Sequence, residues 1–174
     1  VFLDDSIPKA PWPANPWLLF HAAKKAHFGT GLEREHPNQE MLLTAKKLAY
    51  RYCIFADRYD TKGSSGLAEA IGGNDFMVTL GNWSPVIGGT VEEQAGTFVH
   101  ELGHTLGLRH GGGDNINYKP NYISVMNYSW QFPQPKELNN KLSWKIIFSP
   151  SALPALDESR LDETVGLNVP NGTF

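Results

Sequence analysis

Cysteine is almost missing from this chain: Cys53 stands alone. No intramolecular disulfide can form, which excludes a disulfide-built miniprotein. Secreted proteins can lack disulfides, so the count leaves the compartment open. Long apolar runs are missing as well, and none reaches the roughly 18 to 20 residues of a membrane-spanning helix. Positive charge is not in excess. Fifteen Lys and Arg stand against 18 Asp and Glu, for a net charge of −3 and a pI near 6.1. With no basic stripe, nucleic acid is not expected as a partner. The chain opens on Val1 without the basic, apolar, small-residue order of a signal segment, so a processed chain or an excised fragment is expected. What is present is ordinary: 174 residues, 41% hydrophobic and 19% charged. That is enough for one core and one domain, expected as a monomer.

Organisation follows from punctuation and period. Pro8, Pro11, Pro13 and Pro16 make the start an extended lead-in, with room for a short strand at Val1–Asp4. Helical spacing predicts a helix from about Trp17 to Phe28, closed by Phe28-Gly-Thr-Gly, and a second from Pro37 to about Leu48. Residues Ala49 to Asp57 alternate and predict a strand, with Cys53 as a small buried hydrophobe. Two short strands are expected at Leu67–Ile71 and Phe76–Leu80, around Gly72-Gly-Asn-Asp75. Thr90-Val-Glu-Glu93 is a capping box that opens a helix. Val91, Ala95, Phe98, Leu102 and Leu106 would form its buried stripe, and Gly107 its end. A late helix is expected within Ser151–Val165.

That helix carries His100-Glu-Leu-Gly-His-Thr-Leu-Gly-Leu-Arg-His110. Positions four apart share a helix face, so His100 and His104 can present ring nitrogens to one ion. A catalytic zinc site wants three protein ligands and an open position for water. Gly107 is placed to turn the chain so that His110 becomes the third ligand. Three neutral imidazoles leave the ion its full charge, which lowers the pKa of bound water toward roughly 7. Glu101 is suited to take the water proton and pass it to a leaving amine. Asp57, Asp60, Asn74, Asp75, Asp114, Asn115 and Asn117 are loop oxygens without a calcium-loop spacing, so Ca²⁺ is possible but unassigned. His21, His27 and His36 read as surface residues.

The pattern His-Glu-x-x-His-x-x-Gly-x-x-His, with Ser124-Val-Met-Asn-Tyr128 after it, resembles the metzincin metalloendopeptidases. The resemblance covers roughly Thr90 to Tyr128, and Gly111 after His110 marks no particular branch. It implies an α+β, metzincin-like (zincin) fold. A twisted mixed sheet and the active-site helix would form an upper part to about His110. A small irregular lower part, about 111–174, would hold the Met-turn and the late helix, completing one catalytic domain over 1–174. It implies Met126 as the floor beneath the histidines and Tyr128 as a residue assisting the tetrahedral intermediate. It also implies Gly66, Leu67, Ala68, Glu69 and Ala70 as an edge strand that pairs with a bound peptide. The expected function is a secreted, Zn²⁺-dependent endopeptidase acting on protein or peptide substrates. Two alternatives are a zinc amidase on a non-protein amide and a zinc-containing binding domain without turnover.

Overall fold

The computed structural model describes residues 15–83, 85–133, 144–151, 153 and 155–160. The expected strand at Val1–Asp4, the lead-in before Asn15 and residues 161–165 of the expected late helix lie outside them. Asn15 accepts from the Trp17 amide at 3.0 Å and Pro16 takes the first helical position, where a missing N–H costs nothing. Helix α1 (Pro16–His27) follows, with Lys24, Lys25 and His27 complementing the negative end of its dipole. Phe20 is its buried residue. Phe20 and Phe28 both meet the Tyr52 ring edge-on, at 5.7 and 5.9 Å, which seats α1 on the sheet.

Between α1 and the next expected helix lies one that the sequence reading passed over. Thr30 and Glu33 form a reciprocal capping box and open α2 (Gly31–Glu35). Helix α3 (Gln39–Ala49) starts two residues later than expected, with Pro37 in the preceding turn. Arg34 Nη1 donates to the His27 carbonyl at 3.0 Å and to that of Gly29, closing the end of α1. Lys46 pairs with Glu33 at 2.6 Å and joins α3 to α2.

The sheet has three strands, β1 (Tyr52–Phe55), β2 (Gly66–Ala68) and β3 (Asp75–Val78), in the order β1-β3-β2. Strand β1 runs parallel to β3, and β2 antiparallel to it, with Leu67 opposite Met77. All four residues of the central strand are buried. The expected strand over Ala49–Asp57 shrinks to four residues because its partner has only four. The bonds from Tyr52 N to Asn74 O and from Ala56 N to Val78 O close the ladder at both ends. The strand expected over Leu67–Ile71 stops at Ala68, where Gly72 at φ +76° and the bond from Gly73 N to Ala70 O turn the chain.

Helix α4 (Val91–Thr105) carries the expected capping box, and Gly107 at φ +94° follows its end. The expected buried stripe is wrong at both ends: Val91 is 77% and Leu106 56% exposed. Phe98 in its middle does pack, on Phe55 and Phe76 at 6.1 and 5.2 Å. The residues most deeply buried are instead Gly96, Thr97, His100, Glu101, Gly103, His104 and Thr105. Helix α4 lies on β2 and β3 on one side, and the segment after His110 folds back across its other side. Small residues permit that approach. A Cβ on Gly96 would stand 2.2 Å from the Gln131 carbonyl oxygen, and one on Gly103 2.3 Å from Met126 Sδ.

Beyond α4 the described residues to 133 contain no helix or strand, only an isolated bridge between Arg109 and Gly112. The Val125 amide donates to the Ile147 carbonyl and Trp144 Nε1 to that of Trp130, each at 2.9 Å. Of the expected late helix, the described residues show one 3-10 turn, Glu158–Arg160. The architecture is thus α+β, with helices and a small mixed sheet. No helix among the described residues is long and apolar enough to cross a membrane.

Candidate metal centre

His100 and His104 stack a turn apart on α4, and the turn at Gly107 returns His110 beside them. The ring centroids are 4.7 Å apart for His100 and His104, 5.3 Å for His100 and His110, and 5.0 Å for His104 and His110. One ring nitrogen from each lies within 4.8 Å of the others. Two rings are oriented by backbone carbonyls. His100 Nδ1 meets Val125 O at 2.7 Å, and His104 Nδ1 meets Leu108 O at 2.8 Å. A carbonyl only accepts, so each Nδ1 carries the proton and each Nε2 keeps a lone pair. This is the arrangement that supports a metal-ligating histidine.

Electrostatics agrees with the geometry. Burial pushes the His100 pKa down to about 3, against the opposing Val125 bond, and the other two rings add to the depression. Burial also lowers His104, helped by Arg109, and lowers His110, helped by His104. The rings are therefore neutral at neutral pH, the state in which imidazole binds a divalent cation. Three neutral imidazoles, two of them with a protonated far side bound to a carbonyl, suit Zn²⁺.

Glu101 is 5% exposed, between α4 and β2. Burial raises its pKa to about 8, while the Ala68 amide, donating to the carboxylate, works the other way. Bonds from Thr79 N to Ser65 O and from Glu69 N to Asp75 O fix the ladder phase of β2. In that phase Gly66 and Ala68 turn their backbone groups to the outer edge of the sheet. The carboxylate thus sits at the strand edge. Its approach requires Gly66, where a Cβ would lie 2.8 Å from Glu101 Cγ and 2.7 Å from both Thr97 Cγ2 and Met77 O.

Met126 is fully buried, and its Sδ lies where a Cβ on Gly103 would go, against the helix between His100 and His104. The turn around it is built by Asn127 N to Ser124 O at 3.0 Å and Met126 N to Ser124 Oγ at 3.2 Å. Asn127 Nδ2 then donates to the Lys119 and Tyr122 carbonyls, tying this turn to the loop after His110. Tyr128 is partly exposed, with its ring 4.6 Å from His110 and 5.5 Å from His100. Burial, then Glu101, raises its pKa, so the phenol keeps its proton. Tyr118 lies at 6.0 Å from Tyr128.

The edge segment divides. Gly66, Leu67 and Ala68 form β2, whereas Glu69 and Ala70 lie past its end in a bend. The loop oxygens do not converge into a cage among the described residues. Asp60 accepts three backbone amides and the Ser64 hydroxyl, Asp114 pairs with Lys119, and Asn74 holds the Lys47 and Tyr50 carbonyls. Cys53 is half-buried in β1 rather than in the core, and burial still pushes its thiol up to about 12, which leaves it inert.

Sequence reasoning missed the carbonyls of Val125 and Leu108 and the clearance at Gly66. Backbone carbonyls leave no residue signal. A glycine in a strand does, since it often marks close backbone approach. Tyr59, whose phenol is raised by burial and in part by the Glu101 charge, was likewise passed over. Comparison with known proteins finds no matching family model, no matching curated protein and no matching solved structure.

Proposed function

We propose that the chain is a zinc-dependent endopeptidase of the metzincin kind. The observation that carries this reading is the convergence of His100, His104 and His110 with Glu101, which is held against the outer edge of β2. His100, His104 and His110 would hold the ion. Bound zinc supplies Lewis acidity, polarising the scissile carbonyl and making water acidic enough to lose a proton near neutral pH. A cation held by the three histidines would favour the ionised form of Glu101, which would then take that proton and deliver it to the leaving amine. The Ala68 amide anchors the carboxylate at the edge of β2. The Tyr128 phenol donates to the oxyanion as the carbonyl carbon becomes tetrahedral. The remaining outward backbone groups of Gly66 and Ala68 align an extended peptide by main-chain hydrogen bonds. That outer edge favours a peptide over a non-protein amide, and the retained Glu101 favours turnover over mere binding. A secreted location belongs to the same proposal.

The test uses an unfolded protein substrate. Wild type cuts internal bonds and a chelator stops it. Glu101→Gln binds zinc as wild type does but loses about 10²- to 10⁴-fold in turnover, the range for removing a general base. Equal turnover by wild type and Glu101→Gln would sink the reading.

A further inference from the structure

A second cluster lies apart from the histidine triad. His21 comes from α1, Glu69 directly follows β2, and Asp75 opens β3. His21 Nε2 is hydrogen-bonded to Glu69 Oε1 at 2.8 Å, and His21 Nδ1 stands 4.0 Å from Asp75 Oδ2. One ligand atom from each residue falls within 4.8 Å of the others. Asp75 is 5% exposed. Lys24 engages its Oδ1, while Oδ2 is turned to His21. Lys24 is the ammonium paired with Asp75, and it leaves Asp75 Oδ2 and the half-exposed Glu69 carboxylate on the two sides of one imidazole.

We propose that His21, Glu69 and Asp75 form a second divalent-metal site, taking a borderline first-row ion such as Zn²⁺. One imidazole nitrogen and two carboxylate oxygens are a ligand set for zinc, with water in the open position. Calcium is disfavoured, because it needs six to eight oxygens and three protein ligands leave too few. Only the bond between His21 and Glu69 has to be given up, and Lys24 keeps its own oxygen of Asp75. An ion here pins α1 to the end of β2, one residue from the amide that holds Glu101. The site is independent of the reading of the histidine triad, because it shares no residue with it.

Equilibrium dialysis against Zn²⁺ tests it, on wild type, His21→Ala and Glu69→Gln. His21 and Glu69 are 49% and 37% exposed, so both exchanges leave the core untouched, which far-UV circular dichroism checks. Each variant is expected to lose one zinc equivalent of the wild-type isotherm, or to bind it at least about tenfold more weakly. His104→Ala, by contrast, loses the triad equivalent and keeps this one. An isotherm of either His21→Ala or Glu69→Gln that matches wild type overturns the proposal, whatever the triad does.

Discussion

At Gly66 a single hydrogen occupies the place where any other residue would press on Glu101, Thr97 and the Met77 carbonyl at once. One of those neighbours, the Met77 carbonyl, is main chain of the central strand, so side-chain rotation alone cannot relieve the clash. Gly66→Ala is therefore expected to destabilise the fold by about 1–3 kcal/mol, the usual cost of overpacking, measurable as a lower urea midpoint. It is also expected to cut turnover more than zinc affinity, because it displaces Glu101 and leaves the ligands in place. Tyr128 makes a cleaner case. Tyr128→Phe keeps the ring against His110 and removes only the donor. A fall of about 10² in kcat with KM nearly unchanged is expected in a kinetic assay, since the oxyanion exists only in the transition state. At this scale the convergence of His100, His104 and His110 was legible from spacing alone. The reason Gly66 is glycine was not, because the spacing of α4 says nothing about which strand it will touch.

Helix α4 depends on its first turn. The Thr90 hydroxyl accepts from the Glu93 amide at 3.2 Å, and the Glu93 carboxylate returns the bond at 2.6 Å. Thr90→Ala should cost about 1 kcal/mol by thermal denaturation, with zinc affinity little changed because the ligands lie at the far end of the helix. The same code stands at Thr30 and Glu33, yet it was legible only at Thr90. There it precedes a long periodic segment, whereas α2 is five residues between two breakers, Gly29 and Pro37. Glu33 has a second task. Bonds from Lys46 and the Thr30 amide pull its pKa from 4.5 to about 2. A folded-state value below the unfolded one adds stability that is complete above pH 4.5 and is lost as pH falls toward 2. Glu33→Gln should accordingly lower the neutral plateau of a stability-versus-pH curve and flatten its acid limb, so that variant and wild type converge as pH falls toward 2. Salt should shrink the difference, since the group is exposed to solvent.

For the whole molecule, the sheet gives α4 one wall and the segment around Met126 gives it the other. The periodicity of α4 pointed to an apolar stripe as its buried side. That fails because burial is decided by what returns across the helix, and Gly96 and Gly103 admit Gln131, Met126 and Phe148 against the histidine face. No periodicity within α4 encodes that return, which begins only after His110. The mixed α and β content was legible from turns and short apolar runs, but the order β1-β3-β2 was not, since short strands carry no pairing code. Because two of the histidines lie on the helix and the third beyond the turn at Gly107, the triad exists only in the folded chain. Zinc at about a thousand times its Kd should then stabilise the protein by about 4 kcal/mol over His104→Ala at the same concentration. Thermal melts with and without a chelator measure that difference, and equal shifts in the two proteins would contradict it.

The Val125 carbonyl that orients His100 belongs to the main chain, and this shapes how the site can change over generations. Any side chain that fits the core at 125 leaves the oxygen where it is, so point replacements there are tolerated as far as packing allows. Adding or deleting one residue between Ser124 and Asn127 slides the oxygen out of reach of Nδ1 and frees the ring to turn. This short stretch is permissive toward exchange of letters and intolerant of any change in their number.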